Sequence, residues 1–164
     1  MKFEYFLYNK NKKTRKYRVN IFSLIVSIFK YIKMLRFYKK NEFKTTTQKI
    51  KKQYDKRSKK INRIKNKFST DELLYVSSRC LRLYRIIGKV FGQSEYCLER
   101  SVAFTYALNY LGIPSCLVIG KAKYYLSENF AFHAWVEING YPANDSFGLK
   151  KQWHPVFRLP GEVS

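Results

Sequence analysis

Cys97, His133 and Asp145 follow one another along the chain, and their side chains supply the groups a thiol hydrolase or acyl transferase needs. A thiol is the nucleophile, an imidazole moves the proton, and a carboxylate orients the imidazole. Cys97 stands where a loop holding Gly92, Gln93 and Ser94 gives way to a helix. The unpaired N–H groups and the dipole at a helix start favour a thiolate. The backbone N–H of Cys97 and the side-chain amide of Gln93 are the candidate oxyanion donors. His133 falls in a strand-like segment, 132–136, and Asp145 follows the next short strand.

Each residue also has a plainer reading. Free cysteines often serve as small buried apolar groups. Strand histidines are often hydrogen-bonded core residues. An aspartate after a strand often begins a turn, here with Asn144 and Ser146. Gln93 reads equally well as a solvated loop residue. His154 is the other available imidazole, but Trp153-His154-Pro155 reads as a loop without an acid partner. No Cys/His spacing matches a zinc site, so neither a metal nor a cofactor is expected.

The elements that must position these groups form an α+β pattern, helices first and a hairpin-rich sheet after. Residues 18–38 repeat apolar side chains at helical spacing through Ile21, Leu24, Ile25, Ile28, Ile32 and Leu35, with Phe22, Val26 and Phe29 widening the stripe. Asn20 suits the N-cap. Residues 39–68 carry many lysines over a thin stripe of Ile50, Tyr54, Ile61, Ile64 and Phe68, which predicts a solvated linker or exposed helix. Ser69 and Glu72 have capping-box spacing, and a helix follows to Gly88. The helix that begins near Cys97 ends at Gly112, with Pro114 barring its continuation. Strands are predicted over 115–121, 131–138, 141–144 and 155–159. Asn139-Gly140 forms the tight turn between the middle two. Counting back from that turn sets Asp145 nearly opposite His133.

The chain has 164 residues and a net charge of +22. Residues 1–68 hold 23 Lys/Arg against 3 Asp/Glu, and residues 69–164 hold 10 against 8. This asymmetry divides the chain into a basic N-terminal extension, 1–68, and a near-neutral catalytic domain, 69–164. Tyr and Phe among the lysines keep open a non-catalytic reading, in which the extension binds nucleic acid or an anionic membrane. No specific nucleic-acid motif accompanies it. Three cysteines without framework spacing fit a reducing, cytoplasmic compartment. The apolar run 21–29 is too short to span a bilayer and lacks a small-residue cleavage site after it.

A family resemblance rests on Cys97-Leu98-Glu99-Arg100-Ser101, Leu111-Gly112-Ile113-Pro114, Leu117-Val118-Ile119-Gly120, His133-Ala134-Trp135-Val136-Glu137 and Asn144-Asp145-Ser146. Over about residues 70–160 the chain resembles the transglutaminase-like lasso-peptide B proteins, the leader peptidases of lasso-peptide biosynthesis. The helix at 18–38 is similar to one common in that family. The resemblance implies a transglutaminase-like, papain-like core and a protease that removes the leader from a ribosomally made precursor peptide. It implies Cys97 as nucleophile, His133 as base and Asp145 as orienter. It also implies an ATP-dependent lactam synthetase as a partner. Residues 1–68 lack the strand-rich pattern of a winged-helix recognition domain, so leader recognition is expected from a separate small protein. A thiol acyltransferase of the same fold shares the thioester intermediate and remains the alternative.

Overall fold

The computed structural model describes residues 17–90, 96–123, 132–145 and 149–160. Its elements in chain order are α1 (Ile21–Lys40), α2 (Phe43–Lys67), α3 (Thr70–Val90), α4 (Cys97–Leu111), β1 (Ser115–Ala122), β2 (Phe132–Ile138), β3 (Tyr141–Pro142), α5 (Leu149–Gln152) and β4 (Trp153–Leu159). The four strands form one antiparallel sheet in the order β3-β2-β1-β4. This is the expected α+β arrangement.

Local chemistry sets the boundaries. The Asn20 side chain accepts from the Phe22 N–H at 2.8 Å and opens α1. Ser69 and Glu72 form the reciprocal capping box, with Ser69 N–H donating to Glu72 Oε2 at 3.0 Å and Glu72 N–H to Ser69 Oγ at 3.3 Å. Gly112 adopts φ +88° and closes α4. Asn139 and Gly140 have φ of 50° and 80°, the left-handed pair that a two-residue hairpin turn requires.

Helix α4 is the hub. α1 and α2 pack on it from one side, and β1 and β2 from the other. It is therefore buried almost all round from Ser101 to Leu111. Tyr31 and Leu35 of α1, Ile50 and Ile64 of α2, Tyr84 of α3 and Phe104 and Leu108 of α4 share one core with Leu117, Val136 and Ile138 of the sheet. Tyr31 and Tyr84 stack at 5.0 Å, and Ser27 meets the Tyr84 hydroxyl at 2.7 Å.

Three features differ from the sequence reading. Segment 43–67 is a packed helix, with Thr46, Ile50, Gln53, Ile61 and Ile64 buried. The thin stripe suffices because its buried positions meet the small and apolar side chains of α4, while most of the lysines of α2 stay exposed. The third strand ends at Pro142 instead of Asn144. Past Pro142 the Ala143 N–H still donates to the Val136 carbonyl at 2.7 Å, but the Val136 N–H turns to the Asn144 side chain instead of a strand carbonyl, as described below. His154, read as a loop residue, is exposed on β4 opposite Lys121.

Candidate active site

The truncated third strand creates the site. Beyond it, the β2 edge at Ala134 would carry an unpaired N–H and C=O, which a fold must satisfy. The first turns of α4 dock there. Ser101 donates its hydroxyl to the Ala134 carbonyl at 3.0 Å. The Ala134 N–H bonds to the sulfur of Cys97, one turn earlier on the helix. Cys97 lies on the helical side of the sheet, while His133 shares the opposite face with Trp135. The sulfur reaches the imidazole by coming round this open edge.

His133 Nε2 and Asp145 Oδ2 are 2.6 Å apart. Nδ1 is then the ring nitrogen left for sulfur, and the His133 ring does bond to the Cys97 thiol. Each side chain is partly accessible, with His133 22% and Asp145 30% exposed. The structure thus brings Cys97, His133 and Asp145 into one bonded chain. Gln93 lies outside the described residues.

The electrostatics follow from these contacts. The bond to Asp145, and after it the bond to Cys97, raises the His133 imidazole to about 9, against the opposing effect of burial. The Cys97 thiol is lowered. Its bond to His133 is the main cause, burial opposes it, and the Ala134 N–H, the imidazolium charge and the Leu98 N–H add to the lowering. Cys80 and Cys116 move the other way, because burial pushes both thiols up, Cys80 to about 11. Of the three thiols, only Cys97 is tuned toward the nucleophilic form. The first α4 bond of the helical ladder runs from the Arg100 N–H to the Tyr96 carbonyl. The Cys97 N–H precedes that ladder, beside the sulfur, where an oxyanion would form.

A second layer holds the first. Asn144 is buried, its Oδ1 accepts from the Val136 N–H at 2.7 Å, and its Nδ2 donates to Ser101 Oγ at 3.2 Å. One amide therefore ties the strand carrying His133, the helix carrying Cys97 and the backbone next to Asp145. Asn144→Leu keeps the shape and removes both bonds. It is expected to cost about 1–3 kcal/mol by stranding the Val136 N–H, and to slow Cys97 alkylation near neutral pH by loosening Asp145. Urea unfolding and haloacetamide kinetics on the same variant check this. A variant as stable and as reactive as the parent contradicts the tie.

On the outer sheet face, His133 is flanked by Trp135 at 6.1 Å, nearly parallel, and by Trp153 at 5.2 Å. Gly120 faces His133 across the β1–β2 ladder. A Cβ on Gly120 would stand 2.7 Å from Trp135 Cη2 and Cζ3 and 3.1 Å from Trp153 Cβ. Only glycine lets the two indoles close beside the imidazole. Tyr38, at the end of α1, has its phenol raised by burial and by the nearby charges of Glu99 and Cys97, which places it at the margin of the site. Sequence reasoning missed Ser101, Asn144, Gly120 and Tyr38. Ser101, Gly120 and Asn144 stood within the quoted motifs, but nothing in one sequence separates a tie from a turn.

Comparison with known proteins gives a family. A family model described as the transglutaminase-like superfamily matches residues 43–158, more than half the chain. No curated protein and no solved structure matches it.

Proposed function

This chain belongs to the transglutaminase-like superfamily, and from that premise we propose that it is a cysteine peptidase that removes the leader from a ribosomally made precursor in lasso-peptide biosynthesis. The observation that carries the reading is the bonded series from Cys97 through His133 to Asp145 at the docking point of α4 and β2. Leader removal in particular is supported by the sequence resemblance of the Cys97, His133 and Asp145 segments to lasso-peptide B proteins.

The chemistry runs as follows. The Cys97 thiolate attacks the scissile carbonyl, and the oxyanion turns toward the Cys97 N–H. The His133 imidazolium gives its proton to the departing amine, leaving a thioester on Cys97. Water, deprotonated by His133, attacks the thioester and releases the leader with a free carboxylate. Asp145 holds the ring in register throughout. No step requires a cofactor.

The direct test incubates the protein with the precursor peptide and its small recognition protein, and identifies products by mass. A leader ending in a free carboxylate is the expected product. A leader joined to an amine would show acyl transfer in place of hydrolysis, and an intact precursor would remove the reading.

The charge state predicts a pH profile. Catalysis needs a thiolate and an imidazolium together. On the acid side, activity is lost as pH falls through the Cys97 value, which lies below the ordinary thiol range. On the alkaline side, His133 loses its proton near pH 9 and with it the power to protonate the amine. Cleavage should therefore rise as the Cys97 thiolate forms and fall away near 9, while alkylation of Cys97, which needs only the thiolate, should persist above it. Parallel profiles of the two reactions decide the matter. An alkaline limb shared by both would place the titration elsewhere.

A further inference from the structure

We propose that the outward face of α1 is a docking surface for an anionic lipid bilayer. The helix has two apolar faces. Leu24, Ile28, Tyr31 and Leu35 turn into the core. Ile21, Phe22, Ile25 and Phe29 turn outward and are 71, 72, 45 and 67% exposed. At about 100° per residue, these four occupy roughly a third of the helix circumference. A run of apolar residues around an exposed helix is costly in water unless something covers it.

The charges beside this face name its partner. Arg18 lies one turn before it, Lys33 borders it, and Arg36 and Lys40 continue the same arc, all four exposed. No Asp or Glu occurs from Tyr17 to Asn41. α2 adds Lys49, whose ammonium sits 3.3 Å over the Phe37 ring. Burial, Lys33 and then Lys30 hold the Lys49 ammonium below its ordinary range, so these three cations crowd one another. The surface is a convex cylinder with an aromatic centre and cationic ends. It fits a planar partner with an apolar layer under dense negative charge, which is the interface of an anionic bilayer. Among the described residues no helix is long and apolar enough to cross a membrane. The fit is therefore to α1 lying in the interface plane. This inference stands apart from the peptidase reading, since α1 docks by one face and positions the site by the other.

The experiment is flotation of the full chain with vesicles of phosphatidylglycerol and phosphatidylcholine in equal parts, against phosphatidylcholine alone. Binding to the anionic vesicles that weakens with added salt is expected. Phe22→Ser with Phe29→Ser should lower partitioning about tenfold or more, and Lys33→Gln or Arg36→Gln about fivefold each. Both sets alter exposed side chains, so circular dichroism and Cys97 alkylation should match the parent. Three results would overturn the proposal. One is equal, salt-insensitive binding to neutral vesicles. Another is undiminished binding by the double phenylalanine variant. The third is a salt-resistant dimer, abolished by that variant, in a protein that ignores vesicles, which would make a second copy the occupant.

Discussion

Replacing Cys97 with alanine is expected to lower precursor cleavage by about a thousandfold or more, and replacing His133 with alanine by a similar factor. The two losses should not add. Once the sulfur is gone the imidazole has nothing to activate, so the double variant should cleave no more slowly than either single one. Asp145→Asn should lose about 10²–10⁴, because the amide keeps the contact but no longer favours the imidazolium or its tautomer. The same change should raise the Cys97 thiol, since Asp145 is the first cause of the elevated His133. Alkylation near neutral pH therefore slows together with cleavage in Asp145→Asn. Cys80→Ala and Cys116→Ala act as internal comparisons. Both thiols are pushed up by burial, so both variants should keep most of the activity. Single-turnover cleavage followed by mass measures all of these. Wild-type cleavage by Cys97→Ala would end the peptidase reading outright.

What could be counted in the sequence was local. The Asn139-Gly140 turn sets Ile138 opposite Tyr141, and the count from there brings Asp145 beside His133, where they bond at 2.6 Å. Capping at Asn20 and at Ser69 with Glu72 depends on residues within three positions of each other. The α1 stripe shows where such reading stops. Periodicity found its apolar positions, but two adjacent arcs of the helix are apolar, and only one faces α4. The core selected the arc containing Ser27 and Tyr31, because the Tyr84 hydroxyl needed a partner and the Tyr84 ring a stacking surface. That choice depends on α3, more than fifty residues away. The docking of α4 on the open edge of β2 is hidden for the same reason. It requires knowing that the third strand stops at Pro142, and that Ser101 and the Cys97 sulfur then meet the vacant Ala134 groups.

The sheet face behind His133 carries the largest stability prediction. Glu137 is 1% exposed, so its charge has almost no water. Its Oε1 accepts from Trp135 Nε1 at 3.0 Å, and its Oε2 from Arg158 Nη1 at 2.6 Å. Arg158 is 29% exposed. The pair is asymmetric, and so are its two deletions. Arg158→Met leaves a buried carboxylate with one indole donor, a loss expected to be about 3–5 kcal/mol. Glu137→Gln leaves an arginine that can turn to solvent and an amide that still accepts from Trp135, so it should cost about 1–2 kcal/mol. Combining the two removes the stranded charge, and the double variant should be more stable than Arg158→Met alone. Urea midpoints at constant slope read the order. The effect reaches catalysis through Trp135, whose indole Glu137 holds against the His133 ring. Glu137→Gln should thus disturb cleavage less than Arg158→Met does. An Arg158→Met protein as stable as Glu137→Gln would mean that the carboxylate is not the group this face was built to neutralise.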